Sequence, residues 1–365
     1  MMKILTIGAA TQDIIIEYHD DLKVSLVTQG TPHVAFREGS KIEIEKLHYA
    51  SGGGATNSAV SFKQQGFHVS TFFKIGDDAA GKCITQNLEQ QEITAHHAVS
   101  KTVQTGTSFI IPSSKKDCVI FTYRGANKTI ENSDIPKTIF EQQNCLYITS
   151  LTDKAADILP HLTHLAQKKI EGACFKVAVN PGISQLTKNI GPLKAALPNI
   201  DVLITNSYEM NLFMESLKER FFKSTGVGII QNGPQLARTV IAHKKITFTF
   251  YEYCKEILSY GVKRVVVTDG KNGVYVATRD HLYFHPALPT QAVNSLGAGD
   301  AFGSCFMGSL LQGKTTEDAI RSGILNASSV IMQHDAQSGL LTKSEINRYL
   351  HDLDNDLLLT FKLNS

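Results

Sequence analysis

The stretch Asn294-Ser-Leu-Gly-Ala-Gly-Asp-Ala-Phe-Gly-Ser-Cys-Phe306 joins a glycine-rich turn directly to an apolar segment. Gly297 and Gly299 permit backbone torsions closed to residues with a Cβ, so successive N–H groups can converge on one point. From Ala301 to Gln312, Phe302, Phe306, Met307 and Leu310 recur at helical spacing, which predicts a buried helix with its positive end at the turn. Such a helix start attracts anions. Asp300 then has two readings: an N-cap serving the helix backbone, or a carboxylate placed beside an anion site to do chemistry.

Working outward, apolar runs at 145–149, 174–179, 202–205 and 262–268, interspersed with helical stretches such as 154–169, require a parallel sheet covered on both faces. Ligands in such sheets sit beyond the carboxyl ends of the strands, where Asn180-Pro181, Asn206-Ser-Tyr-Glu209 and Thr268-Asp-Gly270 fall. The β-branched run 4–7 adds another buried strand, followed by Gly8 and then Asp13. Segments 17–49 and 105–123 alternate weakly and read as an exposed sheet. The segment 213–255 is expected to be partly helical.

The 365 residues, 42% hydrophobic, can bury a large core. A net charge of +2 supplies no general field for nucleic acid or an anionic membrane, so any anion site must be local. The six cysteines are scattered without a C-x-x-C pair, which points to free thiols and a cytoplasmic protein. No segment reaches the roughly 18 apolar residues of a membrane span. Gly308-Ser-Leu-Leu-Gln-Gly-Lys-Thr315 fits the P-loop pattern by letter, but it begins inside the apolar helix and not after a strand, so it is rejected as a phosphate site. The His96-His97 pair is too isolated to suggest a metal.

Gly297-Ala-Gly-Asp-Ala-Phe302, taken with Gly52-Gly53-Gly54-Ala55-Thr56-Asn57, resembles the paired signatures of the ribokinase-like carbohydrate kinases, the PfkB family. The likeness covers nearly the whole chain. It implies one α/β domain over 1–365, a doubly wound, mostly parallel sheet with helices on both faces, and a small β-sheet lid formed by about 14–50 and 99–125. It further implies an ATP-dependent kinase that phosphorylates a hydroxymethyl group on a sugar, or alternatively on a nucleoside, with neither nucleic acid nor membrane as partner and a homodimer formed through the lid.

By the same resemblance Asp300 is the catalytic base, and the amides of Gly297, Ala298 and Gly299 form an anion hole. Asp13, Gly52, Gly53, Asn57 and Asn127 hold the acceptor; Asn206, Thr268, Gly270, Gly273 and Asn326 attend the nucleotide; Glu209 organises water around Mg²⁺. Simpler roles stand beside these. Asp13 can be a turn residue, Asn57 an ordinary helical residue, Asn206-x-x-Glu209 a capping box, and Asn326 a buried polar residue. Relatives usually carry an Asp that helps hold a monovalent cation where this chain has Asn294, so K⁺ activation is expected to be weak or absent. Of other classes, a dinucleotide-dependent oxidoreductase is disfavoured because its glycine fingerprint follows the first strand. A silent regulatory relative is disfavoured by the retained Asp300.

Overall fold

The computed structural model describes residues 1–17, 24–28, 31–112, 118–170, 175–218 and 221–363. The expected turn at 113–117 and Cys174 lie outside them. Ten strands form the main sheet, from one edge to the other Leu359–Lys362, His281–His285, Val274–Ala277, Arg264–Thr268, Val202–Asn206, Val177–Val179, Cys145–Ile148, Lys3–Ile7, His68–Gly76 and Thr94–Ser100. From Arg264–Thr268 to the Thr94 edge all neighbours are parallel; the three strands beyond Arg264–Thr268 are antiparallel additions.

Alternation along each central strand divides the core. Leu5, Ile7, Leu146, Ile148, Leu203, Val265 and Val267 join the cluster on one face, while Ile4, Tyr147, Ala178, Ile204 and Val266 join the cluster on the other. A strand buried on both sides has to be apolar at every position, which is why these runs are uninterrupted in the sequence. The helix Ala298–Leu311 lies in the second cluster, between the helices Gly54–Gln64 and Thr316–Val330.

A separate sheet pairs Lys46–Gly52, Thr11–Glu17, Gly106–Pro112 and Cys118–Tyr123 in that order. Its strands leave the main sheet immediately after Ile7 and return at Gly52, so its first residues stand over the carboxyl ends of the parallel strands. The 213–255 segment is helical at its two ends, as expected, with strands between them that were not expected. After the helix Ser207–Leu217 it forms an antiparallel hairpin, Val240–His243 with Ile246–Thr249, before the helix Phe250–Ser259. Its Ala237, Ile246 and Phe248 close the first core cluster, and the Leu236 N–H donates to the Tyr275 hydroxyl at 3.1 Å.

Candidate active site

Asp300 is not the N-cap of its helix. That position belongs to Gly297, in a left-handed conformation (φ 75°) where a Cβ would also strike Ala336. Asp300 lies three residues further in and makes no capping bond to the helix backbone. Its Oδ2 instead accepts from Asn57 Nδ2 at 2.9 Å, across 243 residues of chain. The helix is fixed from behind: Ser304 Oγ donates to the Asp300 carbonyl (2.6 Å) and shares a hydroxyl–hydroxyl bond with Ser61 Oγ (2.7 Å). Burial raises the pKa of Asp300, and the Asn57 bond partly offsets this.

Asn57 sits in the first turn of Gly54–Gln64. Its Oδ1 accepts from Gln337 Nε2 at 3.0 Å, and Gln337 also donates to the Ser51 carbonyl at 2.9 Å. Asp13 faces the same region from the small sheet. A Cβ on Gly52 would collide with the Asp13 carboxylate, and one on Gly53 (φ 98°) with the Ala9 carbonyl. These two glycines therefore let the Gly52–Gly54 turn pass against Ala9, Ala10 and Asp13, just beyond the first strand. Asp13 is 5% exposed and accepts from Thr11 Oγ1 at 2.9 Å. Burial pushes its pKa up to about 6; the Thr11 and Ser108 hydroxyls lower it, and the charges of Asp300 and Asp335 raise it further.

This raised pKa makes Asp13 a cost to the empty protein. Between the usual carboxylate range and about pH 6 the folded state binds more protons than the unfolded state, so stability falls as pH rises through that window. Asp13→Asn is expected to stabilise the free protein at pH 7 by roughly 2–3 kcal/mol, with no such gain near pH 4, while weakening acceptor binding. Thermal melts at the two pH values and the acceptor KM check this; a variant less stable at pH 7 would contradict it.

On the other side of Asp300, a cleft of about 500 Å³ is lined by Thr268, Gly270, Gly273, Asn294, Ala298 and Gly299, with Leu288, Phe302, Ala327 and Ile331 among its apolar walls. Gly273 (φ 120°) is required by close packing, since a Cβ there would meet the His285 carbonyl. Gly299 is exposed, and no atom lies within 4 Å of where its Cβ would be, so the helix start is open toward the cleft. The Asn57–Asp300 pair thus stands between the small sheet and this cleft.

Asn206 and Glu209 form a reciprocal capping box: Glu209 N–H donates to Asn206 Oδ1 (2.8 Å), and Asn206 N–H to Glu209 Oε2 (2.9 Å). Glu209 is nevertheless electrostatically tied to the site. Burial pushes its pKa up to about 7, and the charge of Asp300 contributes in the same direction. Among the described residues no group of three His, Cys, Asp or Glu side chains could cage a metal. A divalent ion here would have to keep an oxygen shell of its own, as Mg²⁺ does, and a single carboxylate such as Glu209 fits against that shell.

Two expected ligands are placed elsewhere. Asn127 is buried, and its amide is spent on Ala10, donating to the carbonyl (2.8 Å) and accepting from the N–H (3.0 Å). It braces the turn that carries Thr11 and Asp13. Asn326 is fully buried and ties three segments together through the Ala301 carbonyl, Ser61 Oγ and the Leu341 N–H; its neighbours Ala327 and Ser328 line the cleft instead. The letter-perfect P-loop is helix and cap: Gly308 is buried in the helix, Gly313 follows its end (φ 81°), and Thr315 Oγ1 caps the next helix.

Residues 3–343 match the pfkB family carbohydrate kinases. The chain belongs to that family. It is a phosphotransferase acting on a hydroxyl group, of the kind that phosphorylates sugars or nucleosides. The ribokinase of Haemophilus influenzae is 24% identical over 317 residues, which cover 86% of this chain and 92% of that protein. Two solved structures share the fold. A Cryptococcus neoformans ribokinase in complex with ADP aligns with a TM-score of 0.67 at 17% identity, covering 96% of this chain and all of the other. A Methanocaldococcus jannaschii nucleoside kinase aligns at 0.69 and 19% identity, covering 97% and 99%.

The sequence pointed to neither Thr11, Ser108 nor Gln337. Thr11 stands two residues before Asp13 and could have been suspected; Gln337, 280 residues from Asn57, carries no local signal.

Proposed function

We propose that this pfkB-family kinase transfers the γ-phosphoryl group of ATP to a hydroxymethyl group of a sugar, with Asp300 as general base. The observation that carries this is the Asp300 carboxylate, uncommitted to its own helix and held by Asn57, directly after Ala298 and Gly299, which line the cleft. Asp13 and Asn57 hold the acceptor's hydroxyls, a carboxylate and an amide together accepting from and donating to a diol. Asp300 takes the proton as the hydroxyl oxygen bonds to phosphorus; the bond from phosphorus to the bridging oxygen breaks, and ADP leaves. The amides at Gly297–Gly299 stand at the positive end of the helix and hold the charge that develops on the transferring group. When bound, Mg²⁺ would supply charge neutralisation of the phosphates, with Glu209 fixing its waters.

The acceptor is tested by a panel of sugars and nucleosides scored for ADP release with Mg·ATP, alongside NAD(P)H absorbance. Release with no member of the panel would remove this reading, and release with nucleosides alone would move the acceptor to the nucleoside class.

The capping box makes Glu209 separable from its fold role, because Gln can occupy the same box. Glu209→Gln should keep thermal stability, lower turnover and raise the Mg²⁺ needed for half-maximal rate, leaving the acceptor KM nearly unchanged. In the wild type that Mg²⁺ requirement should fall as pH rises through about 7, where Glu209 ionises, and be flat in the variant. Equal Mg²⁺ titrations for the two proteins would reject the assignment.

The small sheet acts as the lid, and its solvent face supports a homodimer. Tyr49, Ile14, Phe109 and Phe121 stand opposite one another across four strands, and Tyr49 and Phe121 are 62% and 59% exposed. An apolar ladder of this kind is normally covered. Sedimentation analysis should find a dimer that Phe121→Asp dissociates; a wild-type monomer would refute it. Buried thiols at Cys145, Cys254 and Cys305 suit a cytoplasmic setting.

A further inference from the structure

The strands that end in the catalytic cleft begin in a second, larger cavity of about 880 Å³. Arg264–Thr268 runs from Arg264 in this cavity to Thr268 in the cleft. The antiparallel pair beyond it spans the same distance, with Thr278 and His281 in the cavity and Val274 in the cleft. The cavity is thus at the opposite end of the sheet from the chemistry, and no part of the proposed reaction uses it.

Its charge is strongly one-sided for a protein of net charge +2. Among the described residues, Lys255, Lys263, Arg264 and Arg279 line it with His281, against one lining carboxylate, Asp280. Lys263 is paired with Asp201 at 2.7 Å, and Lys255 Nζ lies 5.6 Å from the centre of the Tyr251 ring. Arg264 is the informative member. Its Nη1 donates to the Lys263 carbonyl at 3.0 Å and its guanidinium lies over Phe175, but its Nε is buried and finds no partner among the described residues. Glu317 acts on Arg264 only at a distance, and burial lowers the pKa of the guanidinium. Arg264 is half-buried at the cavity wall, and a charged donor already partly stripped of water there favours an anion. The remaining wall is mixed, with Leu258, Val262 and the ring of Tyr283 beside the polar Ser259 and Thr278. Its volume lies within the range of sites for small organic ligands.

We propose that this cavity binds a phosphomonoester with an apolar or aromatic body, its phosphate on Arg264, Arg279 and Lys255 and its body against Leu258, Val262 and Tyr283. Phosphate is the matching chemistry because a guanidinium fork and an ammonium together satisfy several oxygens of one dianion. Nothing in this depends on which acceptor the kinase uses.

The test is calorimetry on the full-length protein with its nucleotide cleft saturated by ADP and Mg²⁺, using phenyl phosphate, inorganic phosphate and phenol as probes. Phenyl phosphate should bind more tightly than inorganic phosphate, and phenol not at all. Lys255 and Arg279 are exposed and outside the catalytic machinery, so Lys255→Ala with Arg279→Ala should leave melting temperature and turnover unchanged while weakening phenyl phosphate by about tenfold or more. No binding by the wild type, undiminished binding by the double variant, or equal affinity for phosphate and phenyl phosphate would each overturn the proposal.

Discussion

Asp300→Asn should give a well-folded protein that still binds ATP and turns over at least about a hundredfold more slowly than the wild type. The expectation of intact folding comes from where the carboxylate is. Gly297 occupies the N-cap and Asp300 satisfies no amide of its own helix, so no capping bond is lost. Its partner, Asn57 Nδ2, needs only an oxygen opposite it, which the side-chain amide also supplies. Burial disfavours the charged form of Asp300, so removing the charge should leave the free protein as stable or more so at neutral pH. What an amide cannot do is take the acceptor's proton. General-base assistance is typically worth 10²–10⁴-fold, roughly 3–5 kcal/mol of barrier.

The sign of the pH dependence follows from the same shift. A base whose pKa is raised is lost as pH falls through that value, so the acid limb of kcat/KM, which reports the free enzyme, should lie above the ordinary Asp range in the wild type and vanish from the residual rate of the variant. Thermal melts, ATP binding and ADP release at several pH values measure all three quantities. Near-normal turnover by a folded variant would sink the base assignment; poor folding with proportionate loss of activity would return Asp300 to a structural role.

The parts of the site legible in the sequence were those in which one residue type admits few uses. Gly52 and Gly53 must be glycine because a Cβ would enter Asp13 or the Ala9 carbonyl. Gly297 must be glycine because its φ is 75° and Ala336 lies against it. Continuous apolar runs could only be strands covered on both faces, and the two core clusters divide them as alternation requires. Amides were the failure. Asn57, Asn127 and Asn326 are equally able to bind a ligand or to stitch buried backbone, and only the fold shows that Asn127 and Asn326 are committed to Ala10 and to the Ala301 and Leu341 backbone. The hairpin at 240–249 was missed for a local reason. Its turn is Lys244-Lys245, with Lys244 at φ 50°, and carries no Gly or Asn to announce it.

Asn294→Asp should make the protein dependent on a monovalent cation, where the wild type is expected to respond weakly or not at all. Asn294 is 2% exposed and joins two segments at the edge of the cleft. Its Nδ2 donates to the carbonyls of Gln333 (3.3 Å) and His334 (3.1 Å), and its Oδ1 accepts from the Leu296 N–H at 2.8 Å. The side-chain amide therefore presents positive hydrogens to two carbonyl oxygens, as a bound cation would. Replacing that amide by a carboxylate removes both donors and turns a buried negative charge toward two negative dipoles. An unpaired buried charge costs about 3–5 kcal/mol, which should appear as a large fall in melting temperature in tetramethylammonium buffers. K⁺, small enough to sit among the Asp oxygens and the two carbonyls, should recover much of that stability and restore turnover, because Leu296 leads directly into the Gly297–Gly299 turn. The wild type should show the same rate and melting temperature when K⁺ replaces Na⁺ at constant ionic strength. A wild-type enzyme strongly activated by K⁺ would show that the Asn294 amide does not take the cation's place, and a variant indifferent to K⁺ would show that the two carbonyls cannot form a cation site at all.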